Sequence, residues 1–275
     1  MSIEFASPYP KEWGKEVRSV LVGRLAAIEE RIGSPLQRVP RRPSRLEAPL
    51  GEPGNYGAVY ELERLPDRVL KITTDRLEGP YSFYVSGLQR LGVESASGPV
   101  VNASVVVFDV FQIDADIPLW GIVIERVQPV RYDRRSGQVS PSTLPLFILN
   151  GADRYNDGWN ALRGHSIPAY DIDTGVKLKK KRLKVKGPEA RVLVDRGLTL
   201  LDQSPISQPL ANFLRLVMKD DHAFTDLHRN NMGLRLSAID GFPSTERGQL
   251  VAFDFGCSPV SSAVRRSAGK GGVNA

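Results

Sequence analysis

The 275 residues contain one cysteine, Cys257, and only three histidines, His165, His222 and His228. A lone thiol excludes an intrachain disulfide framework and a cysteine-based zinc ribbon, and so few imidazoles argue against a histidine-rich metal cluster. No apolar run approaches the roughly 18–20 residues that a bilayer-spanning helix needs, so no membrane partner is expected. The opening stretch, MSIEFASPYPKEWGKE, has no basic segment followed by an apolar one. A secretory signal is therefore not expected, and the chain reads as cytoplasmic. No internal repeat of solenoid period is visible.

What is present is an ordinary globular mixture, 41% hydrophobic and 25% charged, which excludes wholesale disorder. Lys and Arg (37) outnumber Asp and Glu (31), giving a formal charge of +6. That balance favours acidic partners (nucleotides, acidic proteins or nucleic acid) without choosing among them. Three regions follow from the patterning. Residues 1–48 hold a helical stretch in which Val17, Val20, Leu21, Leu25, Ile28 and Ile32 recur at three- and four-residue steps, then a Pro- and Arg-rich connector. Residues 49–127 read as strands at 57–63 and 67–73 joined by a turn at 65–68, a helix at 80–91, and strands at 99–112 and 119–127. That order predicts an α+β lobe with an antiparallel sheet. Residues 128–275 carry a Pro-, Gly- and Asp-rich stretch to 206, a helix at 208–219 followed by a polar loop, strands at 231–236 and 249–254, and a tail expected to be disordered.

Three separated motifs carry the chemistry. LGEPGNYGAVY, residues 50–60, puts glycines between two strands, where backbone N–H groups can approach phosphate oxygens. A plain glycine-containing hairpin is the other reading. Lys71, in Val69-Leu70-Lys71-Ile72, lies on the next strand, twelve positions beyond Val59. It either neutralises phosphate beneath the glycines or snorkels to solvent. FTDLHRNNMGLR (224–235) and LVAFDFGCS (250–258) place Asp226 five positions before Asn231, with Asp254 further on. Singly, Asp226 or Asn231 would be a turn or a cap. Jointly, a carboxylate able to accept a hydroxyl proton, an amide oxygen and a second carboxylate form a hard-oxygen set suited to magnesium and phosphoryl transfer.

In this order and spacing the chain resembles the protein-kinase-like superfamily. Residues 50–60 resemble its glycine-rich loop, Lys71 its phosphate-gripping lysine, 226–231 its catalytic loop, and Asp254-Phe255-Gly256 its DFG motif. Ile124-Glu125-Arg126-Val127 resembles the hinge that pairs with the adenine edge. The resemblance covers roughly residues 49–127 and 207–258. It implies a bilobal α+β fold with an antiparallel-sheet N-lobe and a reduced, mostly helical C-lobe. It further implies ATP and Mg²⁺ as cofactors. Gly51, Gly54, Tyr56, Gly57, Val59, Val69, Lys71, Glu125 and Val127 would then hold the nucleotide, with Asn231 and Asp254 as magnesium ligands. Asp226, Lys71 and His228 would be the catalytic groups.

The departures from that pattern are specific. Glu52-Pro53 stands where one residue normally separates the first two glycines, and Phe224-Thr225 where His-Arg usually precedes the aspartate. His228 replaces a lysine, so Asp-x-His-x-x-Asn is similar to the loop of aminoglycoside and choline phosphotransferases. The helix expected at 80–91 contains no glutamate for Lys71; Gln89 sits near the expected place, and Glu78 and Glu94 flank the helix. The sequence ends soon after Asp254, so the later helices of ordinary protein kinases are not expected. This compact plan is similar to the small phage-encoded serine/threonine kinases, which would act in the host cytoplasm.

Gly269-Lys270-Gly271 is no Walker loop, and 153–158 (DRYNDG) lacks the ligand alternation of a calcium loop and is expected to be an ordinary loop. Cys257 is expected to be buried and inert, and His165 and His222 to be surface or capping residues. The run GVKLKKKRLKVKG, centred on residues 177–186, either docks an acidic protein or a phosphate backbone, or forms a pair of exposed strands whose solvated charges block edge aggregation. Three functional expectations result. The first is a compact serine/threonine kinase acting on a protein, an acidic one docked on that run, with nucleic acid a more weakly supported partner. The second is a small-molecule phosphotransferase, and the third a nucleotide-binding pseudokinase.

Overall fold

The computed structural model describes residues 13–36, 56–92, 94–95, 98–99, 103–132, 139–140, 144–170, 177–219, 222–224, 227, 231–242, 244, 248–253 and 257–259. Within them the chain is a mixed α+β protein with five helices and short antiparallel sheets, dividing into two compact units. The first comprises Met1–Arg90 and Val106–Arg126, the second Leu91–Val105 and Val127–Ala275. Among the described residues no helix is long and apolar enough to cross a membrane.

The first unit opens with α1 (Lys15–Ile32), which Gly33 stops by adopting φ 73° and donating its amide to the Glu29 and Glu30 carbonyls. β1 (Gly57–Glu61), β2 (Arg68–Thr73) and α2 (Glu78–Arg90) follow; the two-residue strands β3 (Glu94–Ser95) and β4 (Gly98–Pro99) come next in the chain but fall in the second unit, and β5 (Val107–Asp114) and β6 (Leu119–Glu125) complete the first. The main sheet is antiparallel, in the order β1-β2-β6-β5. Strand alternation gives it two faces. Ala58, Tyr60, Leu70, Ile72, Phe111 and Val123 form one, and α1 covers it with Leu21, Leu25 and Ile28 in a shared core. Arg31 clamps the same face, bonding both carboxylate oxygens of Asp109 (2.8 and 3.0 Å) and lying over the Phe111 ring. The hydrogen bonds that Arg31 donates to Asp109 raise its pKa against the lowering effect of partial burial. Val59, Val69, Lys71 and Ile122 share the opposite face by register, the side on which α2 packs.

Besides β3 and β4, the second unit holds β7 (Gln128–Pro129), β8 (Arg131–Tyr132) and β9 (Val139–Ser140), then α3 (Leu146–Leu162), β10 (Ile167–Tyr170), β11 (Lys177–Leu183), α4 (Gly187–Asp202) and α5 (Gln208–Lys219). It ends with β12 (His222–Phe224), β13 (Met232–Arg235), β14 (Gln249–Ala252) and β15 (Cys257–Pro259). α3 and α4 pack through glycine: a Cβ on Gly197 would stand 2.6 Å from the Tyr155 amide nitrogen, and one on Gly158 2.8 Å from that of Val194. Arg215 of α5 bonds both carboxylate oxygens of Asp202 at the end of α4, which raises its pKa through that hydrogen bond. β14, β13 and β7 form a three-stranded sheet, and the Ala252 carbonyl accepts the Val105 amide at 2.9 Å.

Several expectations are corrected. The strand expected over 99–112 is two elements, β4 and β5, and the strand over 119–127 stops at Glu125. The helix expected over 80–91 starts at Glu78. Residues 153–158 are not a loop but the middle of α3, and the stretch up to 206 contains two helices. The polar loop after α5 includes β12. The basic run is not a pair of strands; its one strand, β11, pairs with β10. The C-terminal tail lies outside the described residues.

Candidate functional site

The chain leaves β2 at Thr73 and turns on Asp75, whose side chain accepts the Leu77 amide at 2.9 Å while its own amide donates to Thr73 Oγ1 at 3.1 Å. This local bonding sets the start of α2 at Glu78. The next residue must be small: a Cβ on Gly79 would lie 2.1 Å from the Trp120 ring, so glycine lets the first helical turn rest on the indole. Phe83, further along α2, meets Trp120 edge-on at 6.3 Å. With the turn held there, Glu78 forms an ion pair with Lys71.

Both partners are buried, Lys71 at 8% and Glu78 at 3% exposure. Lys71 therefore does not snorkel. The helix does contain a glutamate for it, correcting the expectation that none was present. Gln89 is engaged elsewhere, its side-chain oxygen accepting the Val107 amide at 3.0 Å and tying α2 to β5. A buried ammonium keeps its charge only beside a carboxylate or comparable partner. The arrangement thus maintains a fixed cation on the α2 face of the sheet, in line with Val59 and Val69.

The other residues expected at the nucleotide are placed as follows. Gly57 is tightly enclosed, since a Cβ there would come within 2.9 Å of the Ile72 carbonyl oxygen. The Tyr56 side chain is exposed. Glu125 ends β6 buried, its amide donating to the Val106 carbonyl at 3.0 Å, and the Arg126 amide donates to Asp67 at 2.7 Å. Val127 is half-buried, in the second unit. Gly51 and Gly54 lie outside the described residues.

In the second unit, Asn231 is buried immediately ahead of β13, and its carbonyl accepts the Phe253 amide at 3.1 Å. That bond extends the β13–β14 ladder, in which Met232 faces Ala252. A second ladder pairs Phe224 with Cys257. The residues flanking the two acidic motifs are therefore joined from both sides. Asp226, His228 and Asp254 themselves lie outside the described residues. Among the described residues no group of three or more His, Cys, Asp or Glu side chains converges.

Sequence reasoning named Glu78 only as a glutamate flanking the helix, and missed Gly79 and Trp120. The one signal for Glu78 was its position just ahead of Gly79-Pro80, a pair compatible with a helical first turn. It also missed a cleft of about 280 Å³ lined by Asp157, Asn160, Arg163, His165, Ser166, Ile167 and Arg182. Two guanidinium groups, a carboxylate and the end of α3 give that cleft mixed charge. Comparison with known protein families finds no match, and comparison with curated proteins finds none.

Proposed function

We propose that the protein is an ATP-dependent phosphotransferase with a two-lobed, protein-kinase-like architecture, and specifically a compact serine/threonine kinase acting on a protein hydroxyl. The observation that carries the reading is the buried pair of Lys71 on β2 with Glu78 at the start of α2, β2 being the second arm of the hairpin that Gly57 opens. A cation held by a buried carboxylate is suited to gripping phosphate, since it is oriented before the ligand arrives. The described residues fit the implied cofactors. Lys71 shares a sheet face with Val59 and Val69, and Asn231 is joined by its backbone to the residue preceding Asp254.

ATP supplies the γ-phosphoryl group, and Mg²⁺ offsets the charge on its phosphates. The chain's own groups do the rest. Lys71, oriented by Glu78, would hold the α- and β-phosphates, and the glycine-containing segment with Gly51, Gly54, Tyr56 and Gly57 would supply backbone N–H groups to them. Val59 and Val69 would enclose the base, with Glu125 and Val127 at its edge. Asn231 and Asp254 would hold magnesium. Asp226 would accept the acceptor hydroxyl's proton as that oxygen bonds the γ-phosphorus and ADP leaves. His228 hydrogen-bonds the transferred phosphoryl group or a loop carbonyl.

The expectation of a pseudokinase rested on a missing helix glutamate, and Glu78 removes that ground. The acceptor is read as an acidic protein docked on the 177–186 run, four of whose basic residues cluster at 179–182. Incubation with γ-labelled ATP, Mg²⁺ and a cell lysate tests the reading. Labelled protein bands are expected. Label confined to small metabolites would move the assignment to a small-molecule phosphotransferase, and no transfer with no nucleotide binding would overturn it.

A further inference from the structure

The Tyr56 carbonyl marks the junction between the glycine-containing segment and β1, and three donors converge on it. The Thr74 amide lies at 2.9 Å, Thr74 Oγ1 at 3.1 Å and Trp13 Nε1 at 3.0 Å. Thr74 is part of the same hairpin, next to Thr73, which faces Gly57 in register. Trp13 is not: it arrives from ahead of α1, and its indole is buried at 1% exposure in one core with Ala58, Tyr60 and Leu62. A phenylalanine would supply most of the same apolar contact. What the indole adds is a directed N–H bond to the backbone oxygen where β1 begins.

We infer that Trp13 is a positioning residue for the nucleotide-binding edge of the first sheet, fixing Tyr56 and β1 relative to Lys71 and so setting affinity for ATP. The inference rests on the ATP-binding reading above. Its geometric basis is that Val59, two residues into β1 from Gly57, lies directly opposite Lys71. Movement at the start of β1 thus changes the spacing between the group that encloses the base and the group that holds phosphate. Misplacement on the scale of 1 Å is enough to cost large factors in a positioned site. On this view Trp13, ahead of α1, belongs to the site and does not act in trans.

The test compares full-length wild type with Trp13→Phe and with Thr74→Val, which removes the hydroxyl donor while keeping the amide. Three quantities are read: ATP·Mg affinity and KM against kcat, urea unfolding, and hydrogen exchange of the β1 amides without nucleotide. Trp13→Phe is expected to raise Kd and KM for ATP about fivefold, the equivalent of one hydrogen bond, with kcat nearly unchanged. Thr74→Val should shift them in the same direction by less. Exchange of Gly57–Glu61 should quicken about fivefold while that of β5 and β6 holds. Lower stability with wild-type ATP affinity, or unchanged β1 exchange in both variants, would overturn the inference. If wild type itself binds no ATP, the functional reading fails, and the exchange result alone then decides whether Trp13 positions β1.

Discussion

Lys71 and Glu78 sit on different elements, and each is more than nine-tenths buried, so neither can be changed without consequences for the other. Lys71→Met is the natural test of phosphate binding, but it leaves the Glu78 carboxylate buried without its cation. Breaking such a pair from one side costs about 3–5 kcal/mol, whereas replacing both partners with apolar groups can be nearly neutral. Lys71→Met is therefore expected to lower the urea midpoint strongly, and Lys71→Met with Glu78→Leu to recover most of the loss. Both should fail to bind ATP. If the double variant bound ATP normally, Lys71 would be only a structural ion. At Asp226 the expectation is the reverse: Asp226→Asn should keep ATP·Mg binding in a titration and lose transfer by several orders of magnitude, because only the proton acceptor is removed. Wild-type transfer by that variant would place the base elsewhere.

At the scale of elements, the first unit was more legible than the second. β1, β2 and β6 are short runs rich in β-branched and aromatic residues, which let their positions be read, and α1 and α5 show unbroken apolar stripes. α3 was missed because its sequence, LFILNGADRYNDGWNAL, is poor in strong helix formers and carries Gly151 and Gly158. Those glycines lower helix propensity locally, yet they let α4 approach, with Gly197 against Gly151 and Tyr155. Tertiary contact thus outweighs propensity, and a single chain read in isolation does not display it. The start of α2 was misread by two residues for a related reason. What places Glu78 in the helix is an Asp75 turn and the Trp120 ring, neither visible as periodicity. The same substitution should therefore have opposite signs at two helical glycines. Gly197→Ala meets backbone atoms on α3 and is expected to cost about 1–3 kcal/mol. Gly23→Ala, in α1 with nothing within 4 Å of its Cβ position, should gain about 0.5–1 kcal/mol. Chemical denaturation of the two variants checks both signs.

The whole molecule is two compact units, each with its own packed interior, and α1 belongs to the first. Whether α1 serves as a separate attachment could not be read from amphipathicity, because an apolar stripe shows that a helix is covered without showing by what. The answer lies in the sheet, whose Ala58, Tyr60, Leu70 and Ile72 face would be left open without Leu21, Leu25 and Ile28. Proteins built of several units need not unfold in one step, and the tryptophans allow this to be observed directly. Trp13 and Trp120 lie in the first unit and Trp159 in the second. Leu25 is 3% exposed, so Leu25→Ala should cost about 2–5 kcal/mol through lost burial and the cavity left behind. In a Trp159→Phe background the emission reports the first unit, and its urea midpoint should fall with Leu25→Ala. In a Trp13→Phe, Trp120→Phe background the remaining Trp159 signal should keep its midpoint. Equal shifts in both backgrounds would mean that the loss in α1 is shared by the entire chain and that the two units unfold as one.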